Sequence, residues 1–311
     1  MKSLSIYMVA RVGRSIGLGH WGRSLNLAKE FSRRSHKVYL EAIPVEPDDQ
    51  NFLPEPYLQR FDGKIDIQVI DDPLWPISLI KDADLRIAID FFKDPADLIH
   101  IGINAIDRTP SDILKNSHMV RLVGMDYLLV DSESENSIQE DKETKNLLMI
   151  MGGKDVKRLT LPILKLLFEN QSLEPFTEIK VIVNDDHPEY QLIKKLIEVI
   201  PRAKMLSIQK TLIPLLQWSN LVICNGGMIG MLTVLQDRNA LFIPQAKEEE
   251  ELLAALQVNP MQVLPLRFHN NKEAILKSFT VASTTPQVPL LKIDSKGCSR
   301  VAEIAERYFT Q

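Results

Sequence analysis

The chain has 311 residues, 45% of them apolar, which exceeds what one hydrophobic core usually organises, so two domains of roughly 150 residues each are expected. Lys and Arg total 37 against 41 Asp and Glu, a net charge of −4 with no long basic run, which argues against a nucleic-acid partner. No stretch approaches the ~20 apolar residues of a membrane span, MKSLSIYMVA is too short and too broken by polar residues for a signal peptide, and two isolated cysteines suit a reducing compartment, so a cytoplasmic protein is expected.

In chain order, short β-rich runs alternate with helical patterns. A strand is expected over Ser5–Val9 and a helix over Leu25–Arg34, then strands over Lys37–Ala42, Ile65–Ile70, Leu85–Ile89 and Ile101–Ile106. From Asp131 to Lys145 the sequence turns polar and acidic, DSESENSIQEDKETK, and reads as a linker that divides the chain into domains 1–141 and 142–311. Alternation then resumes with strands LLMIM (Leu147–Met151), EIKVIV (Glu178–Val183), NLVIC (Asn220–Cys224) and ALFI (Ala240–Ile243), each followed by a helical segment. The pattern predicts two doubly wound α/β domains in series, with ligands gathering outside the carboxyl ends of the strands and in the cleft between the domains.

The stretch IGLGHWGRSLNLAKE (Ile16–Glu30) formally matches the dinucleotide fingerprint at Gly17, Gly19 and Gly22, and Glu41 stands where that reading wants an acid for a ribose hydroxyl. The fingerprint normally starts directly off the first strand, however, and here RVGRSI (Arg11–Ile16) intervenes. Read physically, the loop opens a helix whose free amides and dipole favour an anion, phosphate above all. The glycines strip side chains from around His20 and Arg23 lies about one turn further on, so the imidazole is a candidate general base beside a cation; a helix-start packing role is the plainer alternative.

Other candidates come later in the chain. Asp90, closing LRIAID, either lines a cleft or caps the next turn. His36, His100, His118, His187 and His269 lack a partner at ligand spacing and are expected at the surface, Cys224 and Cys298 read as small buried hydrophobes, and KEEEE (Lys247–Glu251) reads as a solvated helix start. In MIMGGKDVKRLT (Met149–Thr160), Gly152 and Gly153 let backbone approach a ligand, and Lys154 or Asp155 is placed to meet a sugar or phosphate; a tight strand-to-helix turn is the alternative. A parallel arrangement recurs in VICNGGMIGMLTVL (Val222–Leu235), where Asn225, Gly226 and Gly227 precede a helix whose N-terminus suits a diphosphate. No ligand cluster of divalent-cation spacing is visible, and no cofactor is called for.

Taken in order, IGLGHWGRSLNLAKE, MGGKDVKRLT, the NGG turn at Asn225–Gly227 and IDSKGCSRVAEIAE (Ile293–Glu306) resemble the motifs of the UDP-sugar hydrolases of pseudaminic acid biosynthesis, a family grouped with a spore-coat polysaccharide protein. The resemblance spans nearly the whole chain. It implies a GT-B fold, a UDP-sugar in the interdomain cleft, and hydrolysis of UDP-2,4-diacetamido-2,4,6-trideoxy-β-L-altropyranose by water attacking the anomeric carbon, with UDP leaving. Carried over by position, it places the catalytic histidine on His20, with Arg11, Gly17, Gly19, Arg23 and Tyr127 on the substrate side and Gly152, Gly153, Asp155, Asn225, Gly226 and Gly227 at the nucleotide; Asp90 joins the substrate side from its place at the end of LRIAID.

Three positions depart from the family's pattern. Gly13 stands in place of an aspartate, Met231 in place of a glutamate that binds the nucleotide-sugar, and Asp131 where an arginine is usual. Methionine cannot accept the hydroxyl hydrogen bonds a carboxylate takes, so these departures bear on the substrate more than on the fold. Beside the hydrolase stand a glycosyltransferase of the same architecture, a nucleotide-sugar binding protein without catalysis, and the NAD-dependent oxidoreductase of the glycine fingerprint.

Overall fold

The apolar runs fold as parallel strands. The computed structural model describes residues 2–13, 17–57, 63–72, 77–90, 98–107, 118–130, 145–153, 155–209, 211–285 and 293–310. The chain forms two compact units, one from Met1–Glu133 together with Ile293–Gln311, the other from Ser134–Lys292. This differs from a division into 1–141 and 142–311 in setting the boundary after Glu133 and in returning the last helix to the first unit. Residues 131–144 of the expected linker Asp131–Lys145, Asp131 among them, lie outside the described residues, as does Lys154.

The first unit opens with β1 (Ser5–Val12) and α1 (Gly19–Arg33), followed by β2 (Lys37–Pro44), β3 (Ile65–Asp71), β4 (Ala83–Ile89), β5 (Ile101–Asn104) and β6 (Val120–Val123). The strands pair in parallel in the order β2-β1-β3-β4-β5-β6. β1 (SIYMVARV) is buried on both faces, which is why it reads as a continuous apolar run rather than an alternating one. One face packs against Leu27, Ala28 and Phe31 of α1 and against Cys298, Val301, Ala302 and Ala305 of the C-terminal helix Gly297–Tyr308.

The docking of that last helix explains a correction. His36, expected at the surface, is buried: its Nδ1 accepts the Leu4 amide at 3.2 Å and its Nε2 donates to Glu306 of the C-terminal helix at 2.9 Å. Gly297 sits so close to the carbonyl of Leu128 that a Cβ there would overlap its oxygen, so only glycine lets the helix start at this point.

The second unit runs β7 (Asn146–Ile150), α2 (Thr160–Glu169), β8 (Glu178–Ile182), α3 (Tyr190–Val199), β9 (Ala203–Leu206), α4 (Ile213–Trp218), β10 (Leu221–Cys224), α5 (Met228–Leu235), β11 (Asn239–Phe242), α6 (Lys247–Ala255) and α7 (Lys272–Thr284). Its parallel sheet has the order β11-β10-β7-β8-β9, and its core is built from Leu147, Met149, Val181, Ile223 and Leu241 packed on helical Ile163, Leu167, Ile193, Ile275 and Phe279. Cys224 and Cys298 are buried and not joined in a disulfide, and burial pushes the Cys224 thiol up to about 12, so it behaves as a small hydrophobe. Among the described residues no helix is long and apolar enough to cross a membrane.

Candidate functional site

In each unit the strand order reverses beside the first strand, between β1 and β3 in one and between β7 and β10 in the other. At such a switch point the connections leave in opposite directions and open a crevice at the carboxyl ends of the strands. The two groups of candidate residues sit at these two places.

In the first unit, Arg11 is the last residue but one of β1; its Nε donates to Asp72 at 2.6 Å and its Nη1 donates to the Pro44 carbonyl at 3.0 Å. The chain then tightens: the Gly17 amide donates to the Gly13 carbonyl at 2.7 Å, and Gly17 adopts a left-handed φ of 72° that favours glycine. α1 begins at Gly19, six residues before the apolar periodicity that announces it, and its first turn has neither a side-chain cap nor an acid. His20 and Arg23 therefore share one face of that turn.

That face meets the end of β3. His20 Nδ1 lies 2.7 Å from Asp71 Oδ1, Arg23 donates to both Asp71 oxygens through Nε at 2.7 Å and Nη2 at 2.5 Å, and Ser24 Oγ donates to Asp71 Oδ2 at 3.0 Å. Asp71 is fully buried. Burial alone would raise its carboxyl, but Arg23 foremost, then His20, hold it well below the usual carboxylate range. A carboxylate 2.7 Å from an imidazole nitrogen requires a proton between them, so Nδ1 carries the hydrogen and the lone pair of the neutral ring lies on Nε2. Arg23 Nη2, 3.0 Å from the same Nδ1, is then a neighbouring charge rather than a donor to the ring. Among the described residues nothing bonds to Nε2, and the His20 side chain is 16% exposed. An aspartate that fixes the tautomer of a histidine with an unspent Nε2 is an arrangement that can serve as a general base with its orienting carboxylate.

Asp90 joins the cluster, accepting from Arg23 Nη1 at 3.2 Å with its own backbone at a left-handed φ of 53°. Tyr127 does not join it; it packs half-buried on the core beside the C-terminal helix. The departure at Gly13 has a local cause, because a Cβ there would stand 2.5 Å from Asp49 Oδ2 and 2.8 Å from Val45 Cβ, so no aspartate fits. Glu41 is occupied by the hydroxyls of Tyr7 and Tyr39, which removes the ribose partner on which the dinucleotide reading depended. Asp71, missed in the sequence, was marked only by a pair of acids closing an apolar strand, IQVIDD.

In the second unit, Gly152 has a left-handed φ of 84°, and a Cβ there would face the Asn225 amide at 3.6 Å, so the GG and NGG turns lie side by side. Asn184 Nδ2 holds the Gly153 carbonyl at 3.1 Å and Gln245 Nε2 holds that of Met151 at 2.8 Å. Asp155 is turned inward, buried, with its oxygens accepting the Leu159 and Thr160 amides at 2.9 and 2.8 Å. It shapes the turn and caps α2 instead of presenting itself to a ligand, since a buried carboxylate next to free helix amides is best satisfied there. His187, expected at the surface, is buried behind it, with Nε2 3.5 Å from Asp155.

KEEEE is not uniformly solvated either. Glu249 reaches back from α6 to accept Asn225 Nδ2 at 2.5 Å, the Gly226 amide at 3.1 Å and the Gln245 amide at 2.7 Å. Burial raises its carboxyl above the ordinary value against these three donors. Met231 lies buried within α5.

No protein-family model and no curated protein matches the chain in sequence. Solved structures resemble it in fold. MurG of Acinetobacter baumannii aligns over 98% of this chain and 100% of its own, with TM-score 0.55 and 13% identity. The UDP-GlcNAc 2-epimerase of Methanocaldococcus jannaschii aligns over 98% and 100%, with TM-score 0.56 and 12% identity. That of Neisseria meningitidis, bound to UDP-GlcNAc, aligns over 98% and 100%, with TM-score 0.60 and 10% identity. At such identities the likeness is one of fold, and the fold is GT-B-like.

Proposed function

We propose that this chain hydrolyses a nucleotide-activated, UDP-linked deoxyamino sugar, with His20 as the general base. The observation that carries the reading is the His20–Asp71 pair, which leaves Nε2 as the proton acceptor. Support also comes from structures of the same fold, among them a UDP-GlcNAc 2-epimerase bound to UDP-GlcNAc.

In this reading a water gives its proton to His20 Nε2 as its oxygen attacks the anomeric carbon. The bond from that carbon to the diphosphate breaks, and UDP leaves with the electron pair. Asp71, ionised and tied to Arg23, keeps the ring in the accepting tautomer and stabilises the imidazolium that forms. Gly152, Gly153 and Asn225–Gly227 would hold the nucleotide, with the first amides of α5, which has no side-chain cap, facing the departing negative charge. Asp155 enters this scheme as the residue that shapes the GG turn.

The test is proton NMR of UDP-2,4-diacetamido-2,4,6-trideoxy-β-L-altropyranose with wild type and with His20→Ala. Free sugar and UDP with wild type alone support the reading. Full turnover by a folded His20→Ala protein overturns the assigned base. Glycoside formation on adding an acceptor sugar would move the same base to a glycosyltransferase, with a hydroxyl in place of water.

A further inference from the structure

The NGG turn contains an amide whose orientation is dictated from another helix. Both donors that converge on Glu249 Oε2 are backbone amides, of Gly226 at 3.1 Å and Gln245 at 2.7 Å, which pins the carboxylate in place. As a carboxylate its other oxygen only accepts, so Asn225 turns Nδ2 toward it, at 2.5 Å. The consequence falls on the opposite atom: Asn225 Oδ1 is buried and, among the described residues, has no hydrogen-bond partner. Space is tight around this pair, since a Cβ on Gly227 would stand 2.9 Å from Glu249 Oε1 and one on Gly226 3.0 Å from Glu249 Cβ.

We infer that Glu249 is a positioning residue of the nucleotide-side turn: it sets the polarity of Asn225, so that the turn offers an acceptor, Oδ1, to an N–H or O–H donor of the ligand. The inference rests on the reading of this turn as a nucleotide site. It also places the acid of this site on α6, while position 231 on α5 holds a buried methionine.

A reversed pair tests it. In Glu249→Gln the amide oxygen must stay with the two backbone donors, so the new NH2 group faces Asn225, which flips and offers Nδ2 where it had offered Oδ1. In Asn225→Asp two carboxylates face each other. In the double variant, the amide introduced at position 249 donates to the carboxylate introduced at position 225, whose second oxygen again offers an acceptor. UDP affinity is measured by calorimetry, with each variant checked for a native melting transition. Each single variant is expected to bind about tenfold or more weakly, and the double variant to recover to within about threefold of wild type. Wild-type affinity in Glu249→Gln, or a double variant weaker than either single one, overturns the inference.

The Asn225 side-chain NH2 signal, identified by its loss in Asn225→Asp, reads the polarity without ligand. A charge-assisted bond shifts one proton downfield in wild type and the shift disappears in Glu249→Gln; an unshifted wild-type signal overturns the inference. Absence of UDP binding by wild type beside a shifted signal would overturn the functional reading and leave the positioning role standing.

Discussion

At the scale of single residues, the proposed chemistry depends on one proton position. His20 is expected to show a protonated Nδ1 and an unprotonated Nε2 in its neutral form, read from the ring 15N shifts; the opposite tautomer would contradict the base assignment. His20→Ala should lower turnover about 10²–10⁴-fold with UDP affinity retained, because in the proposed mechanism the base acts on the attacking water rather than on the nucleotide. Asp71 carries a pH signature as well. Its folded pKa is depressed below the unfolded value, so its ionised form contributes stability above the unfolded value of about 3.9, and that contribution is lost as pH falls through the depressed one. Urea unfolding across acid pH should therefore show a steeper loss of stability in wild type than in Asp71→Asn. The sequence marks His20 as a candidate through its glycines and Arg23. It does not mark the partner, because residues 20 and 71 meet only when β3 lies beside β1 in the sheet.

At the scale of elements, strands were the most legible. Runs buried on both faces are almost continuously apolar, as in β1, β7 and β10. β6 and β9 are not legible in the sequence because each is a short strand at a sheet edge, with partly exposed residues and mixed polarity. α1 was legible only in its amphipathic part, since glycine and histidine in its first turn carry no apolar period. The C-terminal helix starts on a backbone contact that no side chain survives. Gly297→Ala would press a Cβ onto the Leu128 carbonyl, and because that neighbour is backbone it cannot swing aside. The expected cost is about 3 kcal/mol, seen as a lower melting temperature and faster proteolysis of the last residues.

At the scale of the molecule, the chain builds most of one unit, then all of another, and returns its last helix to the first. Deleting residues 293–311 should uncover the core face that Cys298, Val301, Ala302 and Ala305 complete, at a cost of about 4 kcal/mol. Calorimetry is expected to show the transition of the first unit lowered and that of the second retained; an unchanged first transition would refute the helix's role. By itself the sequence determined the α/β class, the parallel strands and the glycine turns, because burial on both faces and tight backbone turns write themselves into local composition. Only the tertiary structure decided that Asp71 orients His20, that Asp155 turns inward and that Glu249 reaches Asn225, because a carboxylate's role depends on which donors the fold brings within 3 Å of it.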